Sequence, residues 1–335
     1  MPSVPVSVDE LTLADGELFH DKKGRAKPLP VALAPLADSH GHLTSFRAHE
    51  ASIALCRAAI AGVRLLVVPV DPTDDVADVP AFLAWLDQIT RRARERVEEC
   101  AEHGLVPPDF TGWDVPDLVD NIRLVAGAHP YGAERLDGAA LSRLDALLND
   151  PRCVGVGEIG LDYGPYSQVP RDAQLAAFRQ QLRIARSRNL PVELHIRDAA
   201  DDAGCAAHAD AVRVLQEEGV PQAGCDLHCF TQGPEVMRPF VELGCYVAFG
   251  GAATFKRSDD IRAAAVECPT ALILCETDCP YMAPVPLRGQ ECEPAMVAFS
   301  AACVASVRSI AGVCPEKDTY QALWRNANRL IGQAC

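Results

Sequence analysis

Short apolar stretches rich in β-branched residues recur along this chain. Each is followed by a longer stretch whose apolar residues return every three or four positions. The short stretches are VALAPLAD (31–38), VRLLVVPV (63–70), IRLVAGA (122–128), CVGVGEIG (153–160), LPVELHI (190–196), CDLHCF (225–230), CYVAFG (245–250) and ALILCETD (271–278). They are largely apolar on both faces, the pattern of parallel strands covered by helices. The intervening stretches, such as 171–189, 235–244 and 258–268, carry helical spacing. Eight strand–helix repeats predict an α/β fold of the closed (β/α)₈ TIM-barrel type, and not an open sheet.

Two regions fall outside that rhythm. Residues 1–35 form an N-terminal appendage, in which the Asp-Gly of LTLADGELF predicts a hairpin and HDKKGRAKP reads as a solvated basic loop. About fifty residues separate the second and third apolar stretches. There AFLAWLDQITRRARERVEECAEHG reads as one long helix charged on one side, followed by a proline-rich loop. Residues 73–120 are thus expected to be an insertion near the rim that reshapes the mouth of the pocket. Residues 36–335 otherwise form one barrel domain. It ends in two closing helices, the second stopped by Gly332.

Composition narrows the class. Of 335 residues, 49% are hydrophobic, enough for a large core, yet no uninterrupted apolar run approaches the roughly 18 residues of a membrane span. The N-terminus lacks the basic and apolar regions of a secretory signal. Fourteen cysteines occur without a CxxC pair, several of them (Cys153, Cys245, Cys275) inside strand-like runs where cysteine acts as a small hydrophobe. A reduced, cytoplasmic interior is the expected location. The net charge of −15 argues against a broad basic surface for long nucleic acid. It leaves room for a local phosphate pocket, because a metal ion supplies strong positive charge whatever the global balance.

Chemistry collects where the strands end. His40 and His42 lie two apart, so in extended chain they share a face, with Asp38 two residues earlier. Glu158, His195, His228 and Asp278 each close a later apolar run. In a barrel those ends meet on one face. Four imidazoles and two carboxylates gathered there supply ligands for two divalent cations, with a carboxylate able to bridge them. His129 of GAHP ends the third run, within reach of substrate or a metal-bound water. Arg197, two beyond His195, suits a phosphate oxygen; its alternative is a salt bridge to a rim acid such as Asp162 or Asp198. His20, His49, His103 and His208 read as surface residues.

The ordered motifs DSHGHL, GAHP, GEIGLDY, PVELHIRDA, HCFTQG, ETDCPYMAP and NANRLIG resemble TatD-type metal-dependent deoxyribonucleases of the amidohydrolase-like superfamily, from about Asp38 to Gly332. The resemblance implies a barrel with two divalent cations that hydrolyses phosphodiester bonds of DNA, often from a 3′ end. It also implies that His40, His42, Glu158 and Asp278 hold one ion. Glu158, His195 and His228 hold the second, with Glu158 bridging. Asp278 additionally orients or deprotonates the attacking water. Zinc, magnesium, manganese and nickel all suit such a ligand set. Gly41 and Thr44 depart from the family's usual cysteine and aspartate, but neither is a ligand. The implied partner is DNA or another phosphodiester, without membrane or obligate protein partner. Two other readings are a barrel metallohydrolase acting on an ester or amide, including aminoacyl-tRNA, and a non-catalytic metal-bound scaffold. Many of the former bridge their ions with a carbamylated lysine from the fourth strand, where this chain offers Glu158.

Overall fold

The computed structural model describes residues 17–332; the Asp-Gly turn expected near residue 15 lies outside them. Eight strands form one parallel sheet in chain order: β1 (Leu36–Asp38), β2 (Val63–Val70), β3 (Ile122–Ala126), β4 (Cys153–Asp162), β5 (Val192–Arg197), β6 (Cys225–Leu227), β7 (Tyr246–Phe249) and β8 (Ile273–Cys275). The last meets the first: Ser39 N–H donates to Cys275 O (3.1 Å), Asp278 N–H donates to His40 O (2.9 Å), and Gly41 bridges Cys279. The sheet is therefore closed into a TIM barrel. β1 starts only at Leu36 because Pro35 has no N–H for the ladder.

Helices clothe the outside: α1 (Ala51–Ile60), α2 (Val79–Glu102), α3 (Gly138–Leu148), α4 (Arg171–Arg188), α5 (Ala206–Glu218), α6 (Pro234–Glu242), α7 (Asp259–Glu267) and α8 (Val297–Ile310). A ninth, α9 (Glu316–Ile331), lies across the end where the strands begin. There Trp324, Ala327, Leu330 and Ile331 join Leu65, Val67, Val125, Val154 and Leu274 in one apolar cluster. Alternate residues of the same strands, such as Leu66, Val68, Leu124 and Val156, belong to the larger core beneath the helices. None of the helices among the described residues is long and apolar enough to cross a membrane.

The long helix of the second crossover is α2. Asp78 caps it by accepting from Ala81 N–H (3.0 Å), and Val79, Phe82, Leu86, Ile89, Ala93 and Cys100 form its buried stripe. It packs on α1, with Cys100 Sγ 3.9 Å from Cys56 Sγ. The chain that follows folds under the start of β2: Arg64 donates to Pro108 O (2.9 Å) and Asp117 Oδ1 (3.0 Å) and lies over the Phe110 ring. That loop is at the opposite end from the mouth. Of this crossover only the Asp71–Asp75 turn, between β2 and α2, reaches the pocket.

The described part of the N-terminal appendage is anchored. Leu18 and Phe19 are buried, Phe19 edge-on to Phe299 and beneath Arg57. Asp21 then accepts from the N–H groups of Lys23 (2.9 Å) and Arg25 (3.1 Å), folding the basic stretch into a turn with exposed tips.

Candidate metal centre

The geometry begins with Asp38. Its buried carboxylate accepts from Thr277 N–H (2.8 Å) and Thr277 Oγ1 (2.6 Å), which ties the end of β1 to the chain leaving β8. His40 and Asp278 are thereby held together, His40 Nε2 3.8 Å from Asp278 Oδ1. Asp278 itself sits in the left-handed region, φ 55°, a conformation held by its N–H bond to His40 O. Gly41 is required here: a Cβ would stand 2.8 Å from Cys279 Sγ.

From the other wall comes Glu158. Gly157 before it lets β4 approach β5, since a Cβ there would come within 2.7 Å of Glu193 Cβ. Glu158 Oε1 lies 2.6 Å from His195 Nδ1 and 2.8 Å from His228 Nε2, and Oε2 lies 4.0 Å from His40 Nε2. The rings of His40 and His228 stack at 3.9 Å. All six residues singled out in the sequence as ligands therefore converge. Their donor atoms form three groups, each within 4.8 Å: His40, His42 and Glu158; His40, His228 and Asp278; Glu158, His195 and His228.

Protonation states follow from burial and neighbours. Burial pushes Glu158 up, but His228, His129 and His195 outweigh it and hold the carboxyl well below its usual range. Burial opposes charging of His228 and His195, yet Glu158 together with Glu276 and Asp162 raises both. His40 is driven well below its ordinary value by burial and by the facing His228. Burial lifts Asp278 to about 7, with Glu276 and Glu158 adding to the effect.

The donor set fits divalent cations. His40 Nδ1 lies 3.0 Å from Glu193 Oε1; with the proton on Nδ1, its Nε2 lone pair faces His42 Nε2 at 3.3 Å. Likewise His195 Nδ1 and His228 Nε2 are 3.2 Å apart across Glu158. Nitrogen lone pairs and carboxylate oxygens crowded this closely are what a cation between them relieves.

The other candidates are placed less directly. His129 lines the cleft with Nε2 3.7 Å from Glu158 Oε1, while its Nδ1 accepts from Tyr131 N–H (3.1 Å). Arg197 also lines the cleft, its guanidinium over the Tyr166 ring at 5.2 Å. It makes no ion pair among the described residues. Asp162, the salt-bridge alternative, is instead engaged by His195 Nε2 (3.1 Å), the Tyr131 hydroxyl (2.9 Å) and Gly164 N–H (2.7 Å). Of the four histidines read as surface residues, His208 is buried against Asp198 Oδ2 at 2.6 Å, His49 is half-buried beside Glu293, His20 is also half-buried, and His103 is exposed.

A layer of acids beneath the site escaped the reading of the sequence. Glu193 bonds His40; Asp226 pairs with Glu193 in the β5–β6 register; Glu276 stands 3.6 Å from His228 Nδ1. Each lies two residues before a candidate ligand (His195, His228, Asp278), the same spacing that drew attention to Asp38. Burial and mutual repulsion push Glu193 up, and burial with Glu276 takes Asp226 to about 8.

A closed parallel barrel with imidazoles and carboxylates gathered at the carboxyl ends of its strands is the arrangement of the metal-dependent barrel hydrolases. Residues 37–332 match the family model described as TatD-related DNase. The chain belongs to that family and is a TatD-type metal-dependent hydrolase. It is 34% identical to YabD of Bacillus subtilis, an uncharacterized metal-dependent hydrolase, over 67% of this chain and 86% of that one. A segment covering 48% of this chain is 35% identical to 57% of a protein of Cronobacter turicensis named 3′-5′ ssDNA/RNA exonuclease TatD. Among solved structures, the TatD homologue YJJV of Escherichia coli matches with a TM-score of 0.66 and 25% identity, over 89% of this chain and 98% of that one.

Proposed function

We propose that this protein hydrolyses phosphodiester bonds of DNA, releasing nucleotides from a 3′ end. The observation that carries the proposal is the gathering of His40, His42, Glu158, His195, His228 and Asp278 at the floor of an open cleft of about 590 Å³ whose walls also present Arg135, Arg197 and two exposed tyrosines. The exonuclease name of the Cronobacter relative supports it.

Two divalent cations, one held by His40, His42, Glu158 and Asp278 and one by Glu158, His195 and His228, would supply Lewis acidity and an acidified water. The chain's own residues supply the rest. Asp278, which lines the cleft with Oδ1 3.8 Å from His40 Nε2, is placed to take up a proton from the attacking water. Arg197, without a carboxylate partner among the described residues and braced on Tyr166, is set to bind a non-bridging phosphate oxygen. Asp162 and Glu193 orient the rings of His195 and His40 through the nitrogens turned away from Glu158 and His42.

The test joins elemental analysis to an assay of end-labelled single-stranded DNA with magnesium, manganese, zinc and nickel. Two ions per chain and stepwise loss from the 3′ end are expected. Hydrolysis confined to a lactone, amide or aminoacyl-ester panel, or no hydrolysis with any metal, would overturn the proposal.

A further inference from the structure

We infer that the rim on the β7–β8 side of the mouth binds the single-stranded DNA beyond the bond being cut, through an arc of unpaired cations reached across Tyr281. The inference rests on the DNA-hydrolase reading above and extends it from the scissile phosphate to the strand that carries it.

On the helices many cations are neutralised, as in Arg94–Asp120, Arg152–Asp87, Arg183–Glu218 and Arg238–Glu267, while Arg91, Lys317, Arg325 and Arg329 are exposed and without an ion-pair partner among the described residues. Lys22, Arg47, Lys256, Arg257 and Arg288 are all exposed, and none of them has an ion-pair partner among the described residues. Residues far apart in sequence are brought to one rim by the loop that follows β8. Lys22 reaches over Gly289, where a Cβ would stand 2.9 Å from Nζ, and Gln290 donates to His20 O (2.8 Å). The Glu291 carboxylate accepts from the N–H groups of Arg47 (3.0 Å) and Ala48 (2.9 Å), so this acid is engaged by backbone. Arg288 lies 4.2 Å over the ring of Phe255, immediately before Lys256 and Arg257. The neighbouring Asp259 is held by Arg262.

The same loop connects the arc to the chemistry. Tyr281 lines the cleft together with His42 and Asp278, and it also lines an adjoining groove with Arg47 and Thr44. Tyr281 is 58% exposed, and its ring stands edge-on to His42. Further round the barrel, past β1, the turn after β2 carries Asp71, Asp74 and Asp75. A phosphate chain leaving the site is thus repelled at that turn and attracted on the β7–β8 side. An exposed aromatic face between site and cations suits an unpaired base, which a duplex does not offer. At physiological ionic strength charges act over only about 8 Å. The arc therefore works by direct contact with backbone phosphates, and the net charge of −15 over the whole molecule does not cancel it.

The test uses the metal-loaded full chain carrying Lys22→Gln, Lys256→Gln and Arg288→Gln together. The readout is kcat/KM on a single strand of about twelve nucleotides divided by kcat/KM on a dinucleotide, measured across a salt series. Single-strand sites span roughly 4–16 nucleotides per binding module. A drop of about tenfold or more in the ratio at low salt is expected. The log–log salt slope for the long strand should become shallower by about 2, at roughly 0.7 per lost phosphate contact. Tyr281→Ala should lower the ratio severalfold and leave the slope as it was, separating stacking from charge. A triple variant with unchanged ratio and slope, while the wild type cleaves both substrates, would overturn the arc. A wild type that cleaves neither substrate would overturn the DNA reading itself.

Discussion

The two ends of this barrel are built from the same eight strands and have opposite chemistry. Where the strands begin, α9 presses Trp324, Leu330 and Ile331 onto Leu65, Val67 and Leu274, and Asn326 donates to Thr270 O and Ile273 O, each at 2.9 Å. Where they end, imidazoles and acids crowd together. The buried oxygens Glu193 Oε2, Asp226 Oδ2 and Glu276 Oε2 have no hydrogen-bond partner among the described residues. Burial of polar groups without partners costs free energy, so the open end is assembled against its own electrostatics and the closed end offsets it. Stability and chemistry are therefore separable in this chain.

That separation can be attacked directly. Asp278→Asn should lower phosphodiesterase activity by about 1,000-fold or more, since it removes both a cation oxygen and a proton acceptor. Unfolding of the chelated variant in urea should show stability equal to or above that of the parent, because a buried acid is gone; a large loss of stability would blur the two ends into one. At the closed end, Trp324→Ala should cost about 3–5 kcal/mol of unfolding free energy. The fraction still folded should keep its kcat.

The acid layer between the ends sharpens the contrast. Glu193→Leu should weaken cation binding roughly 10- to 100-fold, read by equilibrium dialysis, because His40 loses the group that fixes its ring. Glu193→Gln, which retains an acceptor for His40 Nδ1–H, should recover most of that loss. Equal effects of the two would assign Glu193 to packing.

The smallest effect concerns pH. Burial and the neighbouring His195 depress His129 to about 3 in the folded protein, against about 6.5 unfolded. The unfolded chain therefore binds a proton that the folded chain refuses. Stability is complete above pH 6.5 and declines as pH falls toward 3. Between pH 7.5 and 5.5 the chelated wild type should lose about 1.4 kcal/mol more than His129→Asn does in parallel denaturant titrations.

Much of this architecture was legible before any coordinates. The apolar runs at 63–70 and 153–160 match strands almost residue for residue, because a strand buried on both faces must be apolar throughout. The six ligand candidates were legible because each is a metal-type residue at the end of such a run. The acids below them were harder to see. Glu193 and Asp226 look like solvent-facing residues of an alternating strand until the barrel closes and turns that face inward. The place of the second crossover was equally invisible: a proline-rich loop carries no mark of which end of a barrel it will cover, and Arg64 settled that by bonding Pro108 and Asp117.

Local pattern alone determined the strand–helix repeat, the identity of the metal-type side chains and their position at the carboxyl ends of strands, since period and residue chemistry act within a few neighbours. Tertiary closure decided which of those side chains face one another, that His208 and His49 are withdrawn from the surface, and that Lys22 stands beside Gly289. These depend mostly on contacts between segments remote in the chain, from the 37 residues between Glu158 and His195 to the 267 between Lys22 and Gly289, and such distances are set only when the sheet curls round and β8 meets β1.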